Sequence, residues 1–143
     1  IIGRNSNDKK EETAMTKREA IAKWFRAWLD CDGTCITDVF SEDVRYSECY
    51  GPVYVGRAQV EKWFADWNVN NRVTRWDIFD FVEQGDNLAV EWHFECECAG
   101  EWGGFDGMTL AKFDKSGRIF SLKEFQSQME HVYPYGEPAL IEK

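Results

Sequence analysis

Two glutamates and one tyrosine have the residue types and spacing that suit acid/base chemistry. Tyr46 and Glu48 lie two residues apart at the end of a predicted strand. Glu124 lies in the last predicted strand, on the face that it shares with Leu122 and Phe120, which we expect to point inward. A carboxyl group in an apolar cavity resists ionisation, and two of them in one cavity take different pKa values. Such a pair supplies one acid and one base.

Each carboxylate also has an ordinary structural interpretation. Glu48 can be a solvated side chain at the end of a strand, and Glu124 can pair with Arg75 or another basic group. His93, one of two histidines, alternates with Glu95 on the outward face of its strand, which favours a surface or interface role over catalysis.

Large aromatic side chains are the second feature of the sequence. Aromatic residues make up 15% of the 143 residues and include seven tryptophans. They recur at helical spacing in two segments and face the predicted strands, where helices and a bent sheet leave a gap between them. We expect this gap to be a pocket for a small hydrophobic molecule. The residues that we predict from this pattern to bind it are Trp24, Trp28, Trp63, Trp67, Trp92, Phe94 and Leu122.

Charge and composition exclude several classes of function. The chain has 17 basic and 26 acidic residues, a formal net charge of −9, which disfavours binding to nucleic acid or to an anionic membrane. No stretch is apolar enough to span a bilayer. The five cysteines do not match a disulfide framework or the usual spacing of a zinc site, so we predict buried thiols and a cytoplasmic location. No phosphate loop or metal-ligand set is found, and we expect no cofactor and no metal.

The first half of the chain predicts helices. Residues 1–14 are polar and aperiodic, and we expect them to be a leader or extension outside a single domain of residues 15–143. Thr16 and Glu19 form a capping box at the start of an amphipathic helix that we expect to stop near Gly33. The further elements predicted in this half are a short helical piece over Cys35–Phe40, a strand over Val44–Glu48 and a helix over Arg57–Trp67.

The second half changes to the alternating pattern of strands. Short turns separate the candidates, which favours antiparallel hairpins. Helices followed by an antiparallel meander predict an α+β fold in which three N-terminal helices cover a strongly curved, mainly antiparallel sheet. The four predicted strands are Val73–Val82, Leu88–Cys98, Phe105–Phe113 and Ile119–Gln126.

The order and spacing of four local patterns resemble the SnoaL-like proteins of the nuclear transport factor 2 (NTF2-like) superfamily. The resemblance covers residues 16 to 130. It implies a cone-shaped α+β barrel with a pocket at its wide end and a homodimer formed through the outer sheet face. The patterns are DVFSEDVRY at 38–46, VGRA at 55–58, FDKSGRI at 113–119 and KEF at 123–125.

The resemblance also implies roles for single residues. Glu48 falls where steroid isomerases of this superfamily carry a general base, and Tyr46-x-Glu48 resembles the pattern that holds the nucleophilic water in limonene-epoxide hydrolases. Glu124 falls at the position of a proton-shuttling acid. Trp24 and Thr109 stand where the steroid isomerases have the tyrosine and the protonated aspartate of their oxyanion hole, so both are candidate pocket residues and steroid isomerisation is disfavoured. Epoxide hydrolysis is disfavoured as well, because the fourth strand lacks that family's Arg and Asp.

Two functional hypotheses follow from these residues. In the first, the protein is a cofactor-independent enzyme in which Glu48 is the base, Glu124 is the partner acid and Tyr46 donates a hydrogen bond. In the second, the same pocket belongs to a non-catalytic ligand-binding or accessory dimer. If the second is right, we expect the carboxylates to be ion-paired or exposed, whereas an enzyme requires both to face one cavity.

Overall fold

The computed structural model describes residues 14–128, 130–137 and 139, and within them it contains three helices and six strands. The predicted leader therefore lies, apart from its last residue, outside the described residues. None of the described helices is long and apolar enough to cross a bilayer. The elements are α1 (Lys17–Asp30), α2 (Ile36–Val39), β1 (Phe40–Ser47), β2 (Val53–Val55), α3 (Arg57–Trp67), β3 (Asn71–Gln84), β4 (Asn87–Cys98), β5 (Glu101–Phe113) and β6 (Ile119–Gln126).

Helix α1 begins at the predicted capping box. The Thr16 hydroxyl accepts from the Glu19 N–H, and the Glu19 carboxylate accepts from the Thr16 N–H, both at 3.1 Å. The helix ends before the predicted Gly33, because Cys31 takes a left-handed conformation with φ of 52° and its N–H turns back to Ala27 and Trp28. Its apolar stripe is buried against the sheet.

The six strands form one mixed, mostly antiparallel sheet in the order β2-β1-β6-β5-β4-β3. The hairpins β3–β4, β4–β5 and β5–β6 confirm the predicted meander. The parallel pair β1–β6 places the first strand beside the last, with Tyr46 opposite Leu122. The three-residue strand β2, paired to β1, was not predicted, because so short an element at a Gly-Pro turn has no periodic pattern.

One expectation about β6 was wrong. Phe120 was expected to point inward with Leu122 and Glu124, but its side chain is 41% exposed, whereas Ile119 and Leu122 are fully buried. The pairing register between β5 and β6 shifts at the start of β6, which breaks strict alternation there. Beyond the shift, Leu122 and Glu124 keep the predicted orientation.

Helices α1 and α3 cover the inner face of the sheet through aromatic contacts. Phe25 of α1 stacks on Trp76 of β3 with a ring separation of 3.9 Å, and Trp63 of α3 stacks on Tyr54 of β2 at 4.4 Å. The core between the helices and the sheet is thus built largely from rings, and the candidate site lies among them.

Candidate active site

An aromatic pocket with two carboxylates lies between the helices and the inner face of the sheet. It holds about 380 Å³ of empty space, including solvent at its mouth. Its wall draws on α1, α3, β3, β4, β5 and β6 and on the turn between β1 and β2. The lining residues are Trp28, Glu48, Tyr50, Trp63, Trp67, Val73, Trp76, Trp92, Phe94, Phe105 and Glu124.

Glu124 is held in this pocket by a chain of two hydrogen bonds. The Trp24 indole Nε1–H donates to the Tyr46 hydroxyl oxygen at 3.1 Å, and the Tyr46 hydroxyl donates to the Glu124 carboxyl group. Trp24 and Tyr46 are both fully buried. The parallel pairing of β1 with β6 brings Tyr46 within reach of Glu124. The chain fixes the carboxyl group in one orientation at the cavity wall.

Burial keeps Glu124 protonated at neutral pH. Loss of solvation raises the pKa of this carboxyl group to about 8, the negative charge of Glu48 adds to the rise, and the Tyr46 hydrogen bond opposes it. Both carboxyl groups belong to residues that line the same pocket. Glu124 can therefore act as an acid that donates its proton to a bound molecule.

Glu48 is the less perturbed member of the pair. It directly follows β1, and its backbone N–H donates to the Pro52 carbonyl at 2.9 Å, which closes the turn into β2. Its carboxylate accepts from the Tyr54 hydroxyl at 3.0 Å. Partial burial raises the pKa of Glu48, and the Tyr54 hydrogen bond lowers it again in part. Glu48 is thus a carboxylate of increased basicity beside a protonated acid.

Tyr46 serves as a donor and not as a base. Complete burial raises the pKa of its hydroxyl group well above the usual value, and the adjacent Glu124 raises it further. It stays protonated and lies behind the carboxyl group, outside the cavity wall.

The structure brings seven of the predicted site residues to the pocket. These are Glu48, Glu124, Trp28, Trp63, Trp67, Trp92 and Phe94.

The remaining predicted residues, namely Tyr46, Trp24, Thr109 and Leu122, are fully buried and do not belong to the described wall. Thr109 lies behind Trp92, because its hydroxyl accepts the Trp92 indole N–H at 2.8 Å. A side chain at Gly107 would collide with the Trp92 ring, since a Cβ atom there would lie 2.3 Å from it. The small residues of β5 thus make room for a tryptophan and are not themselves binding groups.

Four lining residues are not among the residues that we predicted to bind the ligand. Trp76 and Val73 lie three residues apart on β3, so strict alternation would place them on opposite faces, but the shift in the pairing with β4 between them brings both to the pocket. Phe105 lies opposite Phe94 in the β4–β5 pairing, so the predicted hairpin could have indicated that Phe105 lines the pocket as well. Tyr50 lies in an irregular turn, and its ring packs edge-on against Phe105 with the ring centroids 6.0 Å apart. No local sequence pattern predicts this placement.

His93 lies on the outward side of β4, away from the pocket, as its alternation predicts. Its two ring nitrogens lie 2.7 Å from the Asp106 carboxylate and 2.9 Å from that of Glu95. Across the described part of the chain, no group of three or more His, Cys, Asp or Glu side chains is arranged to hold a metal ion.

Comparisons with known proteins agree with this architecture. A family model described as a SnoaL-like domain matches residues 17–122. A hypothetical protein from Catenulispora acidiphila with a ketosteroid isomerase-like fold, in complex with trimethylamine, is 22% identical, with 75% of this chain and 84% of that chain covered and a TM-score of 0.64. TerC co-crystallised with polyporic acid is 19% identical, with 78% and 91% covered and a TM-score of 0.64.

An LEH-like epoxide hydrolase of M. tuberculosis is also similar, with 13% identity, 78% of this chain and 82% of that chain covered, and a TM-score of 0.70. No curated protein sequence matches. At these identities the solved structures establish the fold alone, which hosts many activities. The family match covers most of the chain, and we conclude that the protein belongs to the SnoaL-like domain family.

Proposed function

We propose that the protein binds a small, hydrophobic cyclic ketone in the aromatic pocket and moves a proton next to its carbonyl group, without a cofactor. The observation that carries the proposal is the pair of carboxyl groups in one apolar cavity, one with its pKa raised to about 8 and the other raised less. Proton abstraction next to a carbonyl group needs a base and an acid in adjacent positions.

In the proposed reaction, the Glu48 carboxylate takes a proton from the carbon next to the carbonyl group. The electron pair of that C–H bond forms a C=C bond, and the carbonyl oxygen takes the proton of Glu124. Tyr46 then stabilises the new Glu124 carboxylate by the hydrogen bond that it already donates. If Glu48 returns its proton to a different carbon of a conjugated enol while the enol hydroxyl returns its proton to Glu124, the product is an isomer. If the enol carbon instead attacks a second carbonyl group, whose oxygen takes the proton from Glu48 while the enol hydroxyl returns its proton to Glu124, the product is a ring.

The hydrogen-bond partners of the carboxyl groups favour an enzyme over a passive binding module. Within the described residues, the side-chain partners of Glu48 and Glu124 are tyrosine hydroxyls, and neither forms an ion pair with a basic side chain. Arg75, the basic partner considered for Glu124, instead binds Asp77 at 2.6 Å and Glu95 at 3.5 Å. The ligands of the similar structures, trimethylamine and polyporic acid, also support a small-molecule site.

The test is hydrogen–deuterium exchange of 2-tetralone, a small bicyclic ketone whose fused aromatic ring matches the aromatic wall of the pocket. NMR in D₂O follows loss of the protons next to the carbonyl group. We expect the protein to catalyse this exchange and Glu48→Gln to slow it by about 100-fold or more, with the affinity for 2-tetralone changed less than about threefold.

Glu91→Gln is the matched control, because Glu91 is an exposed glutamate on β4. It should exchange 2-tetralone at the wild-type rate. Binding without exchange would contradict the catalytic proposal and leave the non-catalytic ligand-binding module, and absence of binding would contradict both.

Three further features belong to the same proposal. We propose that the sheet curls into the cone typical of the family, because one pocket gathers residues from four of its strands. A homodimer through the outer sheet face is supported by exposed Met108 and Phe125, which pair across β5 and β6, and sedimentation velocity will test it. The free state of all five cysteines supports a reducing compartment.

A further inference from the structure

Four tryptophans are at least nine-tenths buried, and they differ in one respect. The indole N–H groups of Trp24 and Trp92 donate to Tyr46 and Thr109. Those of Trp28 and Trp76 are shielded from solvent and have no acceptor among the described residues. An indole N–H can only donate, and a buried donor without an acceptor is uncommon in a folded protein.

Both of the unpaired indoles line the pocket. Trp28 reaches it from α1 and Trp76 from β3. The hydrogen bonds of the other two tryptophans, Trp24 to Tyr46 and Trp92 to Thr109, involve Trp24, Tyr46 and Thr109, which do not line the pocket. The two unpaired donors therefore belong to side chains that adjoin the cavity.

Packing holds both indoles in place. Trp76 is stacked on Phe25 with an interplanar angle of 9°, and Trp28 packs edge-on against Trp67 with ring centroids 5.3 Å apart. Trp28 is 3% exposed and Trp76 is 9% exposed, so neither ring can turn its N–H to solvent without leaving the core. Because both rings adjoin the cavity, we expect an acceptor for these donors to come from the molecule that fills it.

We infer that the ligand of this pocket carries, besides the reacting carbonyl group, at least one further oxygen acceptor, which receives the indole N–H of Trp28 or Trp76. The inference rests on the proposed function and narrows its substrate class to cyclic ketones that bear a second oxygen, such as an ether, a hydroxyl or another carbonyl group. A ligand without this oxygen leaves both donors unpaired, or displaces water that had bound them, and loses affinity.

The test uses the four methoxy-2-tetralones substituted on the aromatic ring, each paired with its ethyl counterpart of similar shape. An ether oxygen accepts a hydrogen bond and cannot donate one. The difference in affinity between a methoxy compound and its ethyl counterpart therefore measures the effect of the added acceptor. We expect at least one methoxy isomer to bind about threefold to tenfold more tightly than its ethyl counterpart. Trp28→Phe or Trp76→Phe should abolish that gain, whereas Trp102→Phe, at an exposed tryptophan outside the described pocket wall, should preserve it.

A second measurement needs no altered pocket. In the ¹⁵N-labelled wild-type protein, the Trp28 or Trp76 indole N–H resonance should move downfield on binding the preferred methoxy isomer and not on binding its ethyl counterpart. Equal affinity of every pair, a gain that persists in both Phe variants, or indole shifts that do not distinguish the paired ligands would overturn the inference.

These failures can be told apart from failure of the proposed function. If 2-tetralone undergoes Glu48-dependent exchange but no methoxy isomer gains affinity, the catalytic proposal stands and only the second oxygen is wrong. If neither 2-tetralone nor any substituted tetralone binds, the proposed function fails and this inference fails with it.

Discussion

The two faces of the sheet treat carboxylates in opposite ways. On the inner face, Glu48 and Glu124 share an apolar pocket with tyrosine donors, and burial raises the pKa of both. On the outer face, Glu95 accepts from His93 and lies beside Arg75, and these partners lower its pKa. The same residue type is thus a proton donor or a fixed anion according to its surroundings.

The two sets of carboxylates therefore have different roles in the domain. The outer network of Arg75, Asp77, Glu95, His93 and Asp106 pairs its charges internally and lies away from the pocket. The inner pair lacks cations, so its carboxyl groups retain the capacity to give and take protons near neutral pH. Four substitutions test this comparison.

The largest effect is expected for Glu124→Gln at high pH. An unfolded glutamate ionises near 4.5, whereas folded Glu124 keeps its proton to about 8, so the associated stability is present below 4.5 and is lost as the pH rises through 8. We expect the variant to match the wild type in free energy of unfolding at pH 5 and to exceed it on the order of 3 kcal/mol at pH 9. Urea unfolding at both values checks this, with Glu91→Gln as the control. A wild-type protein as stable as the variant at pH 9 would contradict the account.

Tyr46→Phe should have a smaller effect that does not need high pH. It removes the acceptor of the Trp24 indole N–H and the donor to Glu124, and we expect a loss of about 2 kcal/mol in free energy of unfolding. The pKa of Glu124 should rise further, because the lost hydrogen bond had opposed the effect of burial. Chemical denaturation and NMR titration measure both quantities.

Tyr54→Phe is the comparison for that variant, since Tyr54 donates to Glu48 from a less buried position. It should cost less stability and should raise the pKa of Glu48. A fall in the Glu124 pKa in Tyr46→Phe would show that the hydrogen-bonded chain is wrongly assigned.

The smallest effect is expected on the outer face. Hydrogen bonds that His93 donates to Glu95 and Asp106 raise its pKa above the usual 6.5, so the stability that they add is full below 6.5 and is lost as the pH rises through the folded value. His93→Gln should cost less than about 1 kcal/mol at pH 6 and nothing at pH 9. Thermal unfolding at the two pH values checks it. A larger loss at pH 9 than at pH 6 would reverse the assigned sign.

More of the fold than of the candidate site could be predicted from the sequence. Alternation and turn signals predicted β6 with its observed bounds, and the capping box predicted the start of α1. The pocket wall was predicted in part, because helical spacing places Trp28, Trp63 and Trp67 on faces that converge.

What the sequence could not supply depends on long-range pairing. The parallel contact of β1 with β6 turns Tyr46 from a pocket residue into the support of Glu124, and no local pattern reports it. The register shift in β3 hides the common face of Val73 and Trp76 for the same reason. Period-two reasoning assumes an unbroken ladder, and the β3–β4 ladder shifts between these two residues.

The most direct test of the central claim is the pKa of Glu124, measured by NMR titration of a protein labelled with ¹³C at the glutamate carboxyl carbons and assigned with Glu124→Gln. The account predicts that Glu124 titrates near pH 8 and that its pKa falls in Glu48→Gln, where the neighbouring charge is gone. A Glu124 carboxyl group that titrates near its ordinary value of 4.5 in the wild-type protein would contradict the account.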